Sequence, residues 1–161
     1  MIDRRQQRGG KSAGGIVAAL ALLALACVEM GPSIAGDTWI AASVASHHFD
    51  REGDHNERNW GVGVEHGIAP QVRLVAGAYR NSLYDTSHYA GANWTPLVFG
   101  PVRLGVMAGA VDGYNANHGR YIPVVVPLLS VEQGRVGANL LYLPRYKDDA
   151  GVIGLQLKYR F

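Results

Sequence analysis

The chain has 161 residues, enough for one domain with a core of its own. Its formal net charge is only +2, which leaves no electrostatic footprint for a nucleic-acid partner. Cys27 is the only cysteine, so no disulfide framework can form within one chain.

Arg4, Arg5, Arg8 and Lys11 form a basic n-region, followed by a twelve-residue apolar run, Ile16 to Cys27. That run is too short to span a bilayer comfortably as a helix. Ser33-Ile34-Ala35 then places small residues where a signal peptidase reads. Residues 1–35 are expected to be a secretory signal peptide and 36–161 the folded domain. A rival reading makes Ala24-Leu25-Ala26-Cys27 a lipobox, with Cys27 as a lipidated N-terminus. After Gly36 no long apolar stretch occurs, so a mature chain that enters a membrane must do so as a closed barrel.

Eight strand-like runs follow in chain order. They are expected at about 38–49, 59–67, 71–80, 87–98, 102–113, 120–131, 135–144 and 151–161. In the second, Trp60, Val62 and Val64 alternate with Asn59, Gly61, Gly63 and Glu65. In the third, Val72, Leu74, Ala76 and Ala78 share one face, with Arg73, Gly77 and Tyr79 on the other. In the last, Ile153, Leu155, Leu157, Tyr159 and Phe161 alternate with Gly154, Gln156, Lys158 and Arg160. A period of two divides each run between a face for lipid and a face for water. Ten or so such residues is the length a tilted strand needs to cross a bilayer.

Connections one, three, five and seven are longer and polar; two, four and six are tight and rich in Gly or Pro. This rhythm predicts an all-β fold, an eight-stranded antiparallel up-and-down transmembrane β-barrel with outer loops at one end and periplasmic turns at the other. Trp39, Trp60, Trp94, Tyr142, Tyr159 and Phe161 are candidates for the interfacial aromatic girdles. The terminal aromatic resembles the ending of bacterial outer-membrane proteins, whose last strand is the signal read by the assembly machinery. A soluble lipocalin-like barrel is the rival fold.

Chemistry-bearing residues gather at the outer ends of strands. His47 and His48 close strand one, and Asn81-Ser82 follow strand three, so both pairs fall on one rim. An imidazole near a hydroxyl can run acyl transfer as a general base, although polar rim residues also simply meet water and head groups. Arg51, Arg58, Arg80, Arg120, Arg145 and Lys147 lie at or near the outer loops, where Arg suits bidentate contact with lipid phosphates. Six histidines show no metal-ligand spacing, and no metal or cofactor is expected. Pro123, Pro127 and Pro144 fall in or at the ends of strands six and seven, where proline removes ladder donors. In a closed barrel such prolines leave gaps that could admit a lipid tail sideways from the bilayer.

From about His47 to Phe161 the chain resembles the lipid A palmitoyltransferases (PagP-like). The residues that carry the resemblance are Asn56-Glu57-Arg58-Asn59-Trp60-Gly61, Arg80-Asn81-Ser82, Trp94-Thr95-Pro96-Leu97, Tyr121-Ile122-Pro123, Pro127-Leu128-Leu129-Ser130-Val131, Tyr142-Leu143-Pro144 and the final strand. The resemblance implies a bacterial outer-membrane barrel that moves a palmitoyl chain from a phospholipid donor to a lipid A acceptor and acts as a monomer. It implies an interior that holds the acyl chain and proline gaps that let lipids in. The catalytic histidine falls on His48, with His47 as second choice, and the serine on Ser82. Where the family has aspartate this chain has Asn81, which can orient an imidazole but cannot stabilise its charged form. Arg58 and Arg80 are the candidate substrate-binding residues. Two further departures are the missing room for the family's amphipathic helix before strand one and shorter first and second outer loops. These departures keep open the alternative of a non-catalytic outer-membrane barrel that retains the scaffold.

Overall fold

The computed structural model describes residues 36–49, 55–114, 119–144 and 151–161. The expected signal peptide, Arg51, Arg145 and Lys147 lie outside the described residues.

Alternation over long runs produces eight strands: β1 (Thr38–His48), β2 (Gly61–Ala69), β3 (Val72–Arg80), β4 (Thr86–Phe99), β5 (Val102–Val111), β6 (Ile122–Gln133), β7 (Val136–Leu143) and β8 (Val152–Arg160). Each pairs antiparallel with its sequence neighbours, and β8 returns to β1, so the sheet closes into a barrel. The closing register runs from Trp39 opposite Arg160 to His48 opposite Val152. The tight turns lie at one end, where Gly100 and Gly134 take the left-handed conformation their short hairpins require (φ 59° and 62°). The longer connections, between β1 and β2, β3 and β4, β5 and β6, and β7 and β8, leave and rejoin the strands at the other end.

The outward face is apolar. Val62, Val64, Leu74, Val125, Leu140 and Leu157 are all exposed and lie at alternate positions of their strands. A water-soluble barrel would bury such a belt, whereas a bilayer accepts it.

The inward face is polar toward the tight-turn end. There Glu65, Arg73, Arg103 and Lys158 are each at least 95 % buried. Lys158 Nζ lies 3.1 Å from Glu65 Oε2 and 2.7 Å from Glu132 Oε1. Arg73 donates both guanidinium nitrogens to the two carboxylate oxygens of Glu132. Asn139 Nδ2 donates to Glu65 Oε1 (2.5 Å), and Ser130 Oγ donates to Glu132 Oε1 (3.1 Å). Glu65, Arg73 and Lys158 thus each meet an opposite charge, while Arg103 donates to Thr95 Oγ1 (3.2 Å) and the Pro70 carbonyl (2.8 Å), the conditions under which charges survive burial. Trp39 was a girdle candidate by sequence, but it points inward and is 1 % exposed. Its ring lies under the cationic heads of Arg73, Lys158 and Arg160. The cations and the parity of β1 hold it there rather than in the lipid interface.

Above this network the interior turns apolar and aromatic. Val75, Met107 and Val126 form a buried cluster against which Tyr89, Val124 and Leu141 pack. Tyr89 lies over Gly63 and Gly77, and a Cβ at Gly63 would stand 2.2 Å from the phenol oxygen. These glycines make room for a ring that extends from β4 toward Gln156 of β8.

Candidate functional site

The outer rim gathers β1, the 55–60 segment, the 81–85 loop and the start of the 112–121 connection. Strict alternation from Trp39 would point His47 inward. A register shift between Ser43 and Ala45, in the pairing of β1 with β8, reverses the parity. His48 therefore points in and is 6 % exposed, while His47 faces outward. His47 Nδ1 lies 3.3 Å from Glu57 Oε1, and the same carboxylate oxygen accepts the His48 backbone N–H at 3.2 Å. The His48 ring stacks on His55 with centroids 4.4 Å apart. Its Nδ1 is buried and has no hydrogen-bond partner.

The next residue, Asn56, ties this histidine to the 81–85 loop. Its backbone N–H donates to the Ser82 carbonyl (3.0 Å) and its Nδ2 to the Asn81 carbonyl (3.0 Å). His48 and Ser82 thus meet at one short segment, as the shared rim requires.

Asn81 does something different from orienting an imidazole. Its side chain is fully buried. Oδ1 accepts the backbone N–H of Leu83 (2.9 Å) and of Asp85 (3.0 Å), and Nδ2 donates to Ser87 Oγ (3.0 Å) and the Gly113 carbonyl (2.8 Å). With two donors and two acceptors engaged, nothing remains for His48. Asn81 builds the loop that presents Ser82, a loop in which Tyr84 takes a left-handed backbone (φ 60°). Asp85 accepts the Thr86 N–H at 2.7 Å and takes its place in the same loop.

At the start of the 112–121 connection the Tyr114 phenol lies 2.9 Å, oxygen to oxygen, from that of Tyr79. Burial raises the Tyr114 phenol above its ordinary value, so it keeps its proton at neutral pH. Sequence reasoning missed Tyr114 because it stands alone in a polar loop, with no motif to mark it.

Arg58 and Arg80 are both exposed on this rim. They are neighbours through the backbone: Arg80 N–H donates to Trp60 O (2.9 Å), and Asn59 Nδ2 donates to Arg80 O (2.9 Å). Among the described residues, no group of three or more His, Cys, Asp or Glu side chains is arranged to hold a metal ion.

The prolines mark a seam in the wall. Pairing of β6 with β7 runs from Gln133 opposite Val136 to Leu128 opposite Leu141 and stops there. β6 continues to Ile122, paired only with β5. Glu132 N–H donates toward β5, to Pro101 O, and the β5–β6 register is unbroken. Even-numbered residues of β6 therefore direct their backbone groups to β5 and odd-numbered ones to β7. Pro123 and Pro127 are odd, so the donors they lack are the ones β7 would have used. Six residues of β6, about 20 Å at roughly 3.3 Å each, carry no pairing to β7. Pro144 follows β7 directly. An apolar cleft of about 350 Å³ lies where the ladder ends, lined by Pro127, Leu128, Leu129, Leu140, Leu141 and Tyr142 among others.

A closed eight-stranded antiparallel barrel with an apolar outer belt, a polar inner network and a seam in its outer half is a transmembrane β-barrel. No protein-family model and no curated protein matches the chain. Solved structures do. A de novo designed transmembrane β-barrel superposes with a TM-score of 0.57 at 14% identity, over 79% of this chain and 97% of that one. A second design, TMB2.3, gives 0.57 at 16% identity, over 78% and 96%. The outer membrane protein Ail of Yersinia pestis gives 0.51 at 12% identity, over 78% and 99%. At these identities the likeness is one of fold.

Proposed function

We propose that this chain is a bacterial outer-membrane acyltransferase that moves a fatty acyl, palmitoyl-like chain from a phospholipid to lipid A. The observation that carries the reading is the proline-lined seam between β6 and β7, which opens the outer half of the wall beneath the rim that holds His48 and Ser82. Behind it, Leu141, Val124 and Val126 offer an acyl tail an apolar lodging. Prolines also blunt the exposed edge, so lipid rather than another strand fits the gap.

In this reading His48 takes the proton of a lipid A hydroxyl as that oxygen attacks the donor ester. The bond from the acyl carbon to the glycerol oxygen breaks, the imidazolium returns its proton to that oxygen, and a lysophospholipid leaves. Ser82 polarises the ester carbonyl, and no acyl-serine forms. Arg58 and Arg80 hold lipid phosphates at the rim. Pro123, Pro127 and Pro144 keep the entry open. The C-terminal strand engages the outer-membrane assembly machinery, and the barrel works as a monomer without a cofactor.

A specific observation favours a second reading, a barrel that keeps the scaffold without the activity. Asn81 is wholly committed to its loop and His48 Nδ1 meets no carboxylate. Loss of that partner in a triad enzyme lowers kcat about 10⁴-fold. Expression in a strain that lacks lipid A palmitoylation, followed by mass analysis of its lipid A, separates the two. Acyl transfer adds one acyl mass, abolished by His48→Ala; unchanged lipid A with the barrel present in the outer membrane selects the scaffold reading.

A further inference from the structure

Asn81 spends its two donors and two acceptors on its own loop, and His48 Nδ1 is buried with no partner. An imidazole can be fixed by a bond at its edge or by contact over its face. Here the face is engaged: the rings of His48 and His55 lie 4.4 Å apart, centroid to centroid, and 11° from parallel. The chain is stitched on both sides of this stack. Ser46 N–H donates to Glu57 O (2.9 Å) and His48 N–H to Glu57 Oε1 (3.2 Å), which ties β1 to the segment that carries His55. Asn56, the next residue, grips the Ser82 and Asn81 carbonyls (3.0 Å each), and its Oδ1 accepts the Arg58 N–H (3.1 Å). The pair is not arranged as a metal site. A metal lies in the plane of each imidazole that binds it, and two planes so nearly parallel meet only far from both rings.

We propose that His55 is the positioning residue for His48: its imidazole, laid flat against that of His48, fixes the plane in which His48 meets the lipid A hydroxyl and stabilises the imidazolium formed as the proton is taken. The inference rests on the acyl-transfer reading above and deepens it. The torsion that turns an imidazole about its last side-chain bond is broad, and a ring stacked on its face narrows it. An aromatic face also carries electron density that attracts a cation laid over it. The stack thus gives His48 an orienting partner that needs no charge. The role belongs to the face of His55, since its own Nδ1 is buried without a partner. The proton passes from the lipid A hydroxyl to His48 and on to the departing glycerol oxygen, and no bond is made or broken at His55.

The test uses the full chain refolded in phospholipid nanodiscs, and it has two arms. His55→Phe keeps a flat ring without nitrogens, and His55→Leu keeps bulk without a flat ring. In the first arm the histidines carry isotope labels and NMR reads the His48 ring. The wild type should show cross-relaxation between the ring protons of His48 and His55, and His55→Phe should keep a ring-to-ring contact. His55→Leu should lose the ring-current shift of the His48 resonances. His48 spectra that coincide in the wild type and His55→Leu overturn the stack. In the second arm acyl transfer is measured. His55→Leu should lower kcat roughly three- to tenfold with KM unchanged, and His55→Phe should restore most of that loss. Adding His55→Leu to His48→Ala should leave the residual rate as it is. Equal losses in the Leu and Phe variants overturn the proposal, because a nitrogen rather than the ring face would then be at work. A loss that multiplies in the double variant also overturns it, because a residue that only supports the fold acts independently of His48. If His55→Leu does not fold, His55→Gln, which keeps polarity and loses the ring, takes its place. A wild-type chain that shows the stack yet transfers no acyl group overturns the acyl-transfer reading and the role of His55 together; an active wild type whose His48 ring shows no contact with His55 overturns the role of His55 alone.

Discussion

Lys158 of β8 and Glu65 of β2 reach toward each other over the strand that separates them, with Nζ 3.1 Å from Oε2 and both side chains almost fully buried. Beneath them Trp39 of β1 turns its ring to the ammonium, 4.9 Å from its centroid. Lys158→Met should therefore leave Glu65 and Glu132 under-compensated and lower stability by about 3–5 kcal/mol. Adding Glu65→Gln should destabilise by less than the sum of the two single changes. Urea unfolding of the barrel in vesicles reads both, and strict additivity would contradict the pairing.

Asn81→Asp introduces the residue found in the lipid A palmitoyltransferases that the sequence resembles, yet it should not improve this protein. The change removes the donor to Ser87 Oγ and sets a carboxylate oxygen against the Gly113 carbonyl. Stability should fall by roughly 1–3 kcal/mol, with no gain in acyl transfer. Thermal unfolding and lipid A mass together decide it; a faster or more stable variant would mean that Asn81 is free to act on the imidazole.

The seam should close when its donors are returned. Pro123→Val together with Pro127→Val places two new amide donors on the β7 side of β6. Amide protons in β6 and in Tyr142 should become more protected from exchange, and the barrel should gain about 1–2 kcal/mol. Any acyl transfer should slow. Unchanged exchange across β6 and β7 would show that the prolines do not hold the seam open.

Outside the strands, Asp112 offers a pH signature. Its Oδ1 accepts the His88 backbone N–H at 2.5 Å and its Oδ2 lies 3.1 Å from His88 Nδ1. The His88 amide chiefly, with the imidazole behind it, holds this carboxyl below its ordinary value. A depressed folded-state pKa stabilises the fold above the unfolded value, near 3.9, and that contribution is lost as pH falls through the folded value. The His88 amide resonance should therefore titrate with a midpoint below about 3.9, and the step should vanish in Asp112→Asn. A midpoint at or above the ordinary value would show that the amide is not bonded to this carboxylate.

The choice between adjacent histidines shows how far local pattern reaches. His47 and His48 are equivalent by composition, and alternation counted from Trp39 favours the wrong one for the interior. The register shift at Ser43 and Ala45 decides it, and that shift lies in the pairing of β1 with β8, more than a hundred residues away. Glu57 and Tyr114 were equally hidden. Each became a partner of the rim only when three separate connections were brought to one end of the barrel.

By itself the amino-acid order determined that eight amphipathic strands would alternate with long and short connections and close on themselves, because a period of two and the need to satisfy every backbone group in lipid leave little choice. It also placed prolines in strand six. Only the tertiary structure decided that Trp39 lies inside under three cations, that the donors missing at Pro123 and Pro127 are those facing β7, and that Asn81 builds a loop instead of steering a histidine. Those outcomes depend on which strand lies on which side and on who meets whom across the bore, and such contacts are long-range in a chain whose local signal spans only two residues.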